Sequence, residues 1–434
     1  MRSAGVSNQA AQPALAGGLT VGENSFRNAK LGRIALVGYK AAADVAAKGS
    51  FFLLTIVAAR RLTPSDFGLF ALGTTIGWML SVVADFGVQM HVARRTARAP
   101  HLAHVLLRRW WRTRVAALAL SIAALIAVLA AVRATPAMST PLVLLSLVYA
   151  TTSGIDLLNY FYRGLSRSDI ESTLTIWQRL ATLALGTGAL LWRADVNLLA
   201  LAMLAAASGT LACSFAIARR LFAETSTSNA PVIDPSLVPS DRFFRDVFPI
   251  GAGIVLSAIY FRVDTLLVQL WAGTEAVARY NAVFRLVDAL RLFPAAVLAV
   301  TLPALCRAED LAALGRLAAS LAFIGVAIAI AVWLAADRIV MLTFGDPYRS
   351  AVPALRILAL SFPLLSLNFA LTHQLVGWDR HRAYAAVCAT ALVVNLGLNA
   401  WLIPLWSIDG AAWATLATEG CVTAGCVAAL GARS

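Results

Sequence analysis

Five ionisable residues, Arg262, Asp264, Arg285, Asp288 and Arg291, stand inside the apolar run FPIGAGIVLSAIYFRVDTLLVQLWAGTEAVARYNAVFRLVDALRLFPAAVLAVTLPAL, from Phe248 to Leu305. A charge at the centre of a bilayer costs a few kcal/mol on insertion scales and about 10 or more in some simulations. Five of them in two neighbouring apolar spans call for a polar cavity lined by protein. Their chemistry is that of binding: an arginine offers a planar fork of N–H donors that matches phosphate or carboxylate oxygens. Asn281, Arg285 and Asp288 are spaced i, i+4, i+7, with Arg291 one turn on, so they share one broad helical face. Pro294 should kink or loosen that helix just beyond. Arg262 and Asp264, two residues apart, point to roughly opposite sides; Arg262 is assigned to the cavity and Asp264 to a neighbouring helix.

The rest of the chain adds to this set. Lys40, Asp44 and Lys48 lie along one stripe at i, i+4, i+8. Lys40 can snorkel to the interface, but Lys48, about 12 Å deeper at ~1.5 Å per residue, is expected in the cavity. Asp156, Asn159 and Arg163 form another face, followed by Gln178 and Arg179. The amides Asn395 and Asn399, four apart, suit hydrogen bonds between helices. His373 and Glu419 are lone titratable groups that could hold a proton or cation, though a structural role is the better reading. The candidate substrate-binding residues are therefore Lys48, Arg179, Arg262, Arg285, Asp288 and Arg291. No phosphate-cradling glycine loop, HExxH motif or nucleophile–base pairing occurs, so neither an enzyme, a cofactor nor a metal site is expected. The five cysteines have neither zinc nor redox spacing.

Such residues must be held by membrane helices. Of 434 residues, 60% are hydrophobic and 13% charged, against about a quarter charged in a soluble domain. Twelve apolar spans are expected, near 35–58, 68–90, 115–133, 141–162, 172–192, 196–218, 247–271, 280–305, 314–335, 351–376, 383–405 and 409–431. Period-2 segments of a membrane barrel are absent. A long polar interval, Arg219 to Arg245, divides the spans into six and six. This predicts a disordered tail over 1–33, a six-helix bundle over 34–220, a linker over 221–245 and a second bundle over 246–434. The halves echo each other: LTPSDFGLFAL (Leu62–Leu72) follows the first span and AGTEAVARYNAV (Ala272–Val283) the seventh, each with an aromatic, Phe70 or Tyr280, opening the next helix.

The net charge of +14 does not point to nucleic acid, because its densest block, His91 to Arg114, with seven arginines and no acid, sits between two spans. It reads as a cytoplasmic loop beside anionic lipid. With the N-terminus inside, seventeen arginines fall in inner loops and seven in outer ones, so both termini are expected in the cytoplasm.

The segments RRLTPSDFGLFAL with ADFGVQMHVAR, FYRGL, YFRVDTLLVQLWAGTEAVARYNAVFRLVDAL, FGDPYRSAVPALRILAL and LNAWLIPLWSIDGAAWATLATEG run in one order over nearly the whole chain. They resemble the bacterial polysaccharide transporter (oligosaccharide flippase) family, within the multidrug/oligosaccharidyl-lipid/polysaccharide exporter superfamily. The resemblance implies an all-α integral membrane protein, with about twelve transmembrane helices in two six-helix bundles around a central cavity. It also implies transfer of an undecaprenyl-pyrophosphate-linked oligosaccharide from the inner to the outer leaflet of the bacterial cytoplasmic membrane, for exopolysaccharide, capsule or O-antigen assembly. The partners implied are the lipid-linked oligosaccharide and membrane lipids, with a polysaccharide polymerase and export machinery as further candidates. Trp78, Tyr149, Tyr160 and Tyr260 could offer faces to sugars, though packing or interfacial anchoring is the better reading for each. The alternatives are a cation-coupled multidrug exporter of the same superfamily, which buried arginine disfavours, and a lipid II flippase, for which fourteen spans would be usual.

Overall fold

The computed structural model describes residues 39, 45–100, 103–226, 243–298, 301 and 311–431. The expected tail, Lys40, Asp44 and the centre of the linker lie outside them. The described residues form helices joined by short turns: α1 (45–61), α2 (Pro64–Asp85), α3 (Val88–Arg98), α4 (Ala103–Ala131), α5 (Pro136–Gly164), α6 (Ser168–Trp192), α7 (Val196–Ser226), α8 (Phe243–Ala272), α9 (Thr274–Leu290), α10 (292–298), α11 (Leu311–Thr343), α12 (Val352–Gly377) and α13 (His381–Gly431). A 3-10 turn, Asp346–Ala351, precedes α12. α13 holds two spans. It breaks at Ser407 (φ 51°, ψ −126°), where Gly410 packs so closely on the backbone of Leu402 that a Cβ there would lie 2.2 Å from its carbonyl oxygen. Its limbs fold back antiparallel, pairing Asn395 with Thr418. With that hairpin the architecture is the twelve-span, two-bundle one expected, and among the described residues eight helices are individually long and apolar enough to cross a membrane.

Several boundaries differ from the sequence reading. The second span ends at Asp85; Phe86 and Gly87 both take positive φ, and α3 restarts at Val88. The basic block is not a loop, since α3 and the start of α4 carry it. Arg114, expected at the cytoplasmic surface, is 2% exposed and pairs with Asp85, with Nη1 also 3.3 Å from Ser153 Oγ. The aromatics Phe70 and Tyr280 lie a turn or more inside helices that begin at Pro64 and Thr274. Helix initiation explains α2: the Thr63 hydroxyl accepts from the Asp66 amide at 3.1 Å, and Pro64 sits where its missing N–H costs nothing. The eighth span breaks at Arg291, before Pro294, into α9 and α10.

Burial follows a membrane pattern. α4 and α11 are the most apolar spans and the least covered by protein, with Leu120 73% and Phe323 78% exposed; such helices face hydrocarbon. The hydrophobic cores report the shape. One core draws on both halves, with Phe67, Leu145, Leu199, Val277, Val340 and Ile408 among its members. Among the described residues, the buried members of a second all come from the second half, and those of a third from the first. The halves therefore merge at one end, around the turns at 62–63, 273 and 344–351, and part at the other. Cross-half bonds lock the joined end. Arg60 donates from Nε to the Thr343 carbonyl at 2.8 Å and from Nη2 to that of Leu342, satisfying the terminal carbonyls of α11. Tyr348 donates to the Ala59 carbonyl at 3.3 Å and stands edge-on to Phe67. The two echoing segments meet there as well, where α2 crosses α9 at Gly68. At the parted end the halves still touch at the end of α2, where the Phe86 and Phe248 ring centroids are 5.6 Å apart and Gly251 packs closely on the Phe86 carbonyl.

Candidate functional site

Between the parted halves lies a vestibule of about 500 Å³. α1 brings Lys48, Phe51 and Phe52; α2 brings Trp78; α5 brings Tyr149; α6 brings Arg179. α9 supplies Arg285 and Asp288, the break before α10 supplies Arg291, and Phe369 of α12 completes the wall. Five of the six residues picked from sequence share this one hollow. The sixth, Arg262, lines a smaller recess of about 210 Å³ with Thr74, Thr75 and Phe261. Trp78, Tyr149, Arg285 and Asp288 line both and so form the waist between them. A third hollow, between α4 and α5, is lined mainly by apolar residues such as Ile126, Leu129 and Val143 and contains no charge.

Asp288 is the hub of the charges. Its Oδ2 lies 3.4 Å from Arg262 Nη2 and 3.6 Å from Arg285 Nη1, and its Oδ1 lies 3.9 Å from Arg291 Nη1. Three guanidiniums against one carboxylate leave the cluster cationic, and Lys48 and Arg179 add to the excess. In surroundings of low dielectric that excess attracts an anion more strongly than water would allow. Aromatic faces hold the guanidiniums in place: Arg262 lies 4.5 Å above Phe284, Arg291 4.1 Å above Phe261, and Arg285 5.1 Å from Phe51 of the other half. Asn281 accepts from Arg285 Nε at 3.3 Å, the i, i+4 contact that the spacing suggested.

Asp264 takes the structural role given to it: 2% exposed, it accepts from the Tyr280 hydroxyl and, at 2.7 Å, from the Thr265 amide. The amides also bond between helices, Gln178 to Thr152 at 3.1 Å and Asn395 to Thr418 at 3.1 Å. Glu419 is buried and accepts from Asn368 at 2.7 Å, while His373 contacts the Phe369 carbonyl. Of the proposed sugar faces, Trp78 and Tyr149 reach the cavity. Tyr160 instead lies under Arg163, and Tyr260 packs on the second-half core. Thr74 and Thr75 were missed. Their signal was faint: two small polar residues in mid-span, with Thr75 three residues before Trp78 and hence on its face.

Residues 37–309 match the family described as polysaccharide biosynthesis protein. The chain belongs to that family. No curated protein matches it in sequence. Among solved structures, an inward-facing multidrug resistance MATE family transporter of the MOP superfamily superposes with TM-score 0.60 at 16% identity, over 92% of this chain and 96% of that one. Its outward-facing counterpart gives 0.60 at 14%, over 92% and 97%. The lipid II flippase MurJ, in an inward closed conformation, gives 0.56 at 12%, over 90% and 87%. At these identities the likeness concerns the fold alone, which this chain shares with those multi-pass membrane proteins.

Proposed function

We propose that this member of the polysaccharide biosynthesis family is a flippase. It carries a polyprenyl-diphosphate-linked oligosaccharide from the inner to the outer leaflet of the bacterial cytoplasmic membrane, by alternating access. One observation carries the reading: five cationic side chains and a single carboxylate line two adjoining hollows between the two halves, four of the cations in the vestibule and Arg262 in the recess. A diphosphate cannot cross hydrocarbon unaided, and arginine forks supply the donors it loses on leaving water. Trp78 and Tyr149 offer stacking faces to the adjoining sugars, while the polyprenyl tail stays in lipid. Residues 34–220 and 246–434 act as the two bundles. The arginine bias of the loops puts both termini and the parted end in the cytoplasm; impermeant labelling of single cysteines at Ser226 and Pro136 reads this directly, the second alone reacting in intact cells. A cationic drug would meet like charge here, which argues against the exporter reading.

In vesicles reconstituted with a fluorescent polyprenyl-diphosphate oligosaccharide, Arg262→Ala and Arg285→Ala should each slow flipping with insertion unchanged. A lost charge-assisted hydrogen bond is worth about 1.5–3 kcal/mol, roughly ten- to hundred-fold in affinity. Arg262→Lys keeps charge without the fork and should retain part of the activity. Normal flipping in both alanine variants at normal membrane levels would refute the reading.

A further inference from the structure

The recess beyond the waist holds donors that none of the described residues satisfies. Arg262 is 5% exposed; its Nη2 reaches Asp288, but its Nη1 is buried and has no hydrogen-bond partner among the described residues. The Thr75 hydroxyl, 2% exposed, is equally unpartnered, whereas its neighbour Thr74 donates to the Ala71 carbonyl at 2.9 Å. A buried donor without an acceptor destabilises a fold, and a charged one more so. Both line the same hollow, one from each half of the molecule: Thr75 from α2 and Arg262 from α8. Phe261 and Phe284 flank the guanidinium and fix its plane. The recess also lies on the side of the joined core, since the α2 residues that line it directly follow core members Phe70, Ala71 and Leu72.

We propose that this recess is a second anion station, in which Arg262 Nη1 and Thr75 Oγ1 together donate to a phosphate oxygen of the lipid-borne diphosphate. The proposal rests on the flippase reading and deepens it. The head group is met first in the vestibule by Lys48, Arg179 and Arg291. It then passes the waist, exchanging partners on Arg285, and comes to rest between the halves at the end that must open next. No bond is made or broken. Because Thr75 and Arg262 belong to different halves, a phosphate bridging them responds directly to any relative movement of those halves.

The test uses the full chain in nanodiscs, titrated calorimetrically with farnesyl diphosphate and, separately, with inorganic pyrophosphate. Thr75→Val, which preserves shape and removes only the hydroxyl, should weaken farnesyl diphosphate binding about tenfold or more, and Thr75→Ser should restore it. Arg262→Lys should weaken it as well, and the double variant should lose less than the product of the two single losses, since both donors serve one group. Arg291→Gln acts on the other station, so with the recess as the resting place it should weaken binding far less than Thr75→Val does. Unchanged binding in Thr75→Val, alongside weakened binding in Arg291→Gln, would overturn the recess and leave the flippase standing. Unchanged binding in every variant would remove both. Equal affinity for inorganic pyrophosphate would overturn the assignment to a lipid-borne group. Size-exclusion profiles and thermal midpoints matching the parent tie any loss to the site rather than to folding.

Discussion

Gly68 is where the closed, joined end is most open to perturbation. A Cβ built on it would lie 2.1 Å from the Thr274 carbonyl oxygen, 2.7 Å from its Cγ2 and 2.9 Å from its carbonyl carbon. Two of those three atoms are backbone, so no rotamer change relieves the clash; α2 and α9 must separate by about an ångström. Overpacking of this kind costs about 1–3 kcal/mol. The cost falls on the joined arrangement alone, because only there do the two helices meet so closely. Each 1.36 kcal/mol is a tenfold shift in a two-state ratio, so Gly68→Ala should favour the opened arrangement by roughly five- to 150-fold. Spin labels at Arg61 and Glu275, both exposed beside this crossing, would report it by double electron–electron resonance. The parent should give a short, narrow distance distribution, and Gly68→Ala a new longer component, larger still in Gly68→Val. Identical distributions in all three proteins would refute the argument that this close approach holds the end shut.

Two further outcomes follow from the charges. Arg114→Ala leaves Asp85 without its buried partner, a loss of about 3–5 kcal/mol, so its membrane abundance should fall, while Arg114→Met with Asp85→Asn, which keeps an acceptor for the Gly87 and Gln89 amides, should recover much of it; abundance measured beside the parent decides. Lys48→Gln and Arg179→Gln should change the ratio of cargo affinities between the inward- and outward-facing arrangements, trapped by cross-linking, whereas Arg285→Gln should weaken both alike.

Much of the candidate cavity's lining was legible because a membrane makes polar residues conspicuous. Inside hydrocarbon, Arg285, Asp288 and Arg291 have few tolerable places, and helical spacing alone put them on one face; the vestibule contains all three. Arg262 and Asp264 separated as their two-residue offset demanded, one to the recess and one to the Tyr280 hydroxyl. What escaped depended on partners distant in sequence. Arg114 reads as one more basic residue in a cytoplasmic cluster; only the break at Phe86 and Gly87 brings the end of α2 to it and turns it into a buried ion pair. Thr75 escaped because a threonine in a membrane helix normally bonds its own preceding turn, as Thr74 and many others here do. Only the folded arrangement reveals a hydroxyl left over. The helix breaks escaped for a related reason: neither Phe86 nor Ser407 is a residue that favours positive φ, so tertiary packing imposes those turns rather than local preference.

The division of charge between the halves has a mechanical consequence. Arg262, Arg285, Asp288 and Arg291 all belong to the second half, and Asp288 binds the three guanidiniums into one body. In the proposed alternating-access cycle, rocking moves that body as a unit, so its attraction for a phosphate is nearly the same before and after. Lys48 and Arg179 belong to the first half, and only their distances to the cluster change. A ligand shifts a conformational equilibrium by no more than the difference in its affinity for the two states. That difference must therefore come from groups contributed across the interface: Lys48 and Arg179 in the vestibule, and Thr75 in the recess. Asp288 completes the logic. Three neighbouring guanidiniums alone would repel one another and drive their helices apart; a single internal carboxylate holds them together, yet leaves positive charge unbalanced, as the proposed capture of an anionic head group requires.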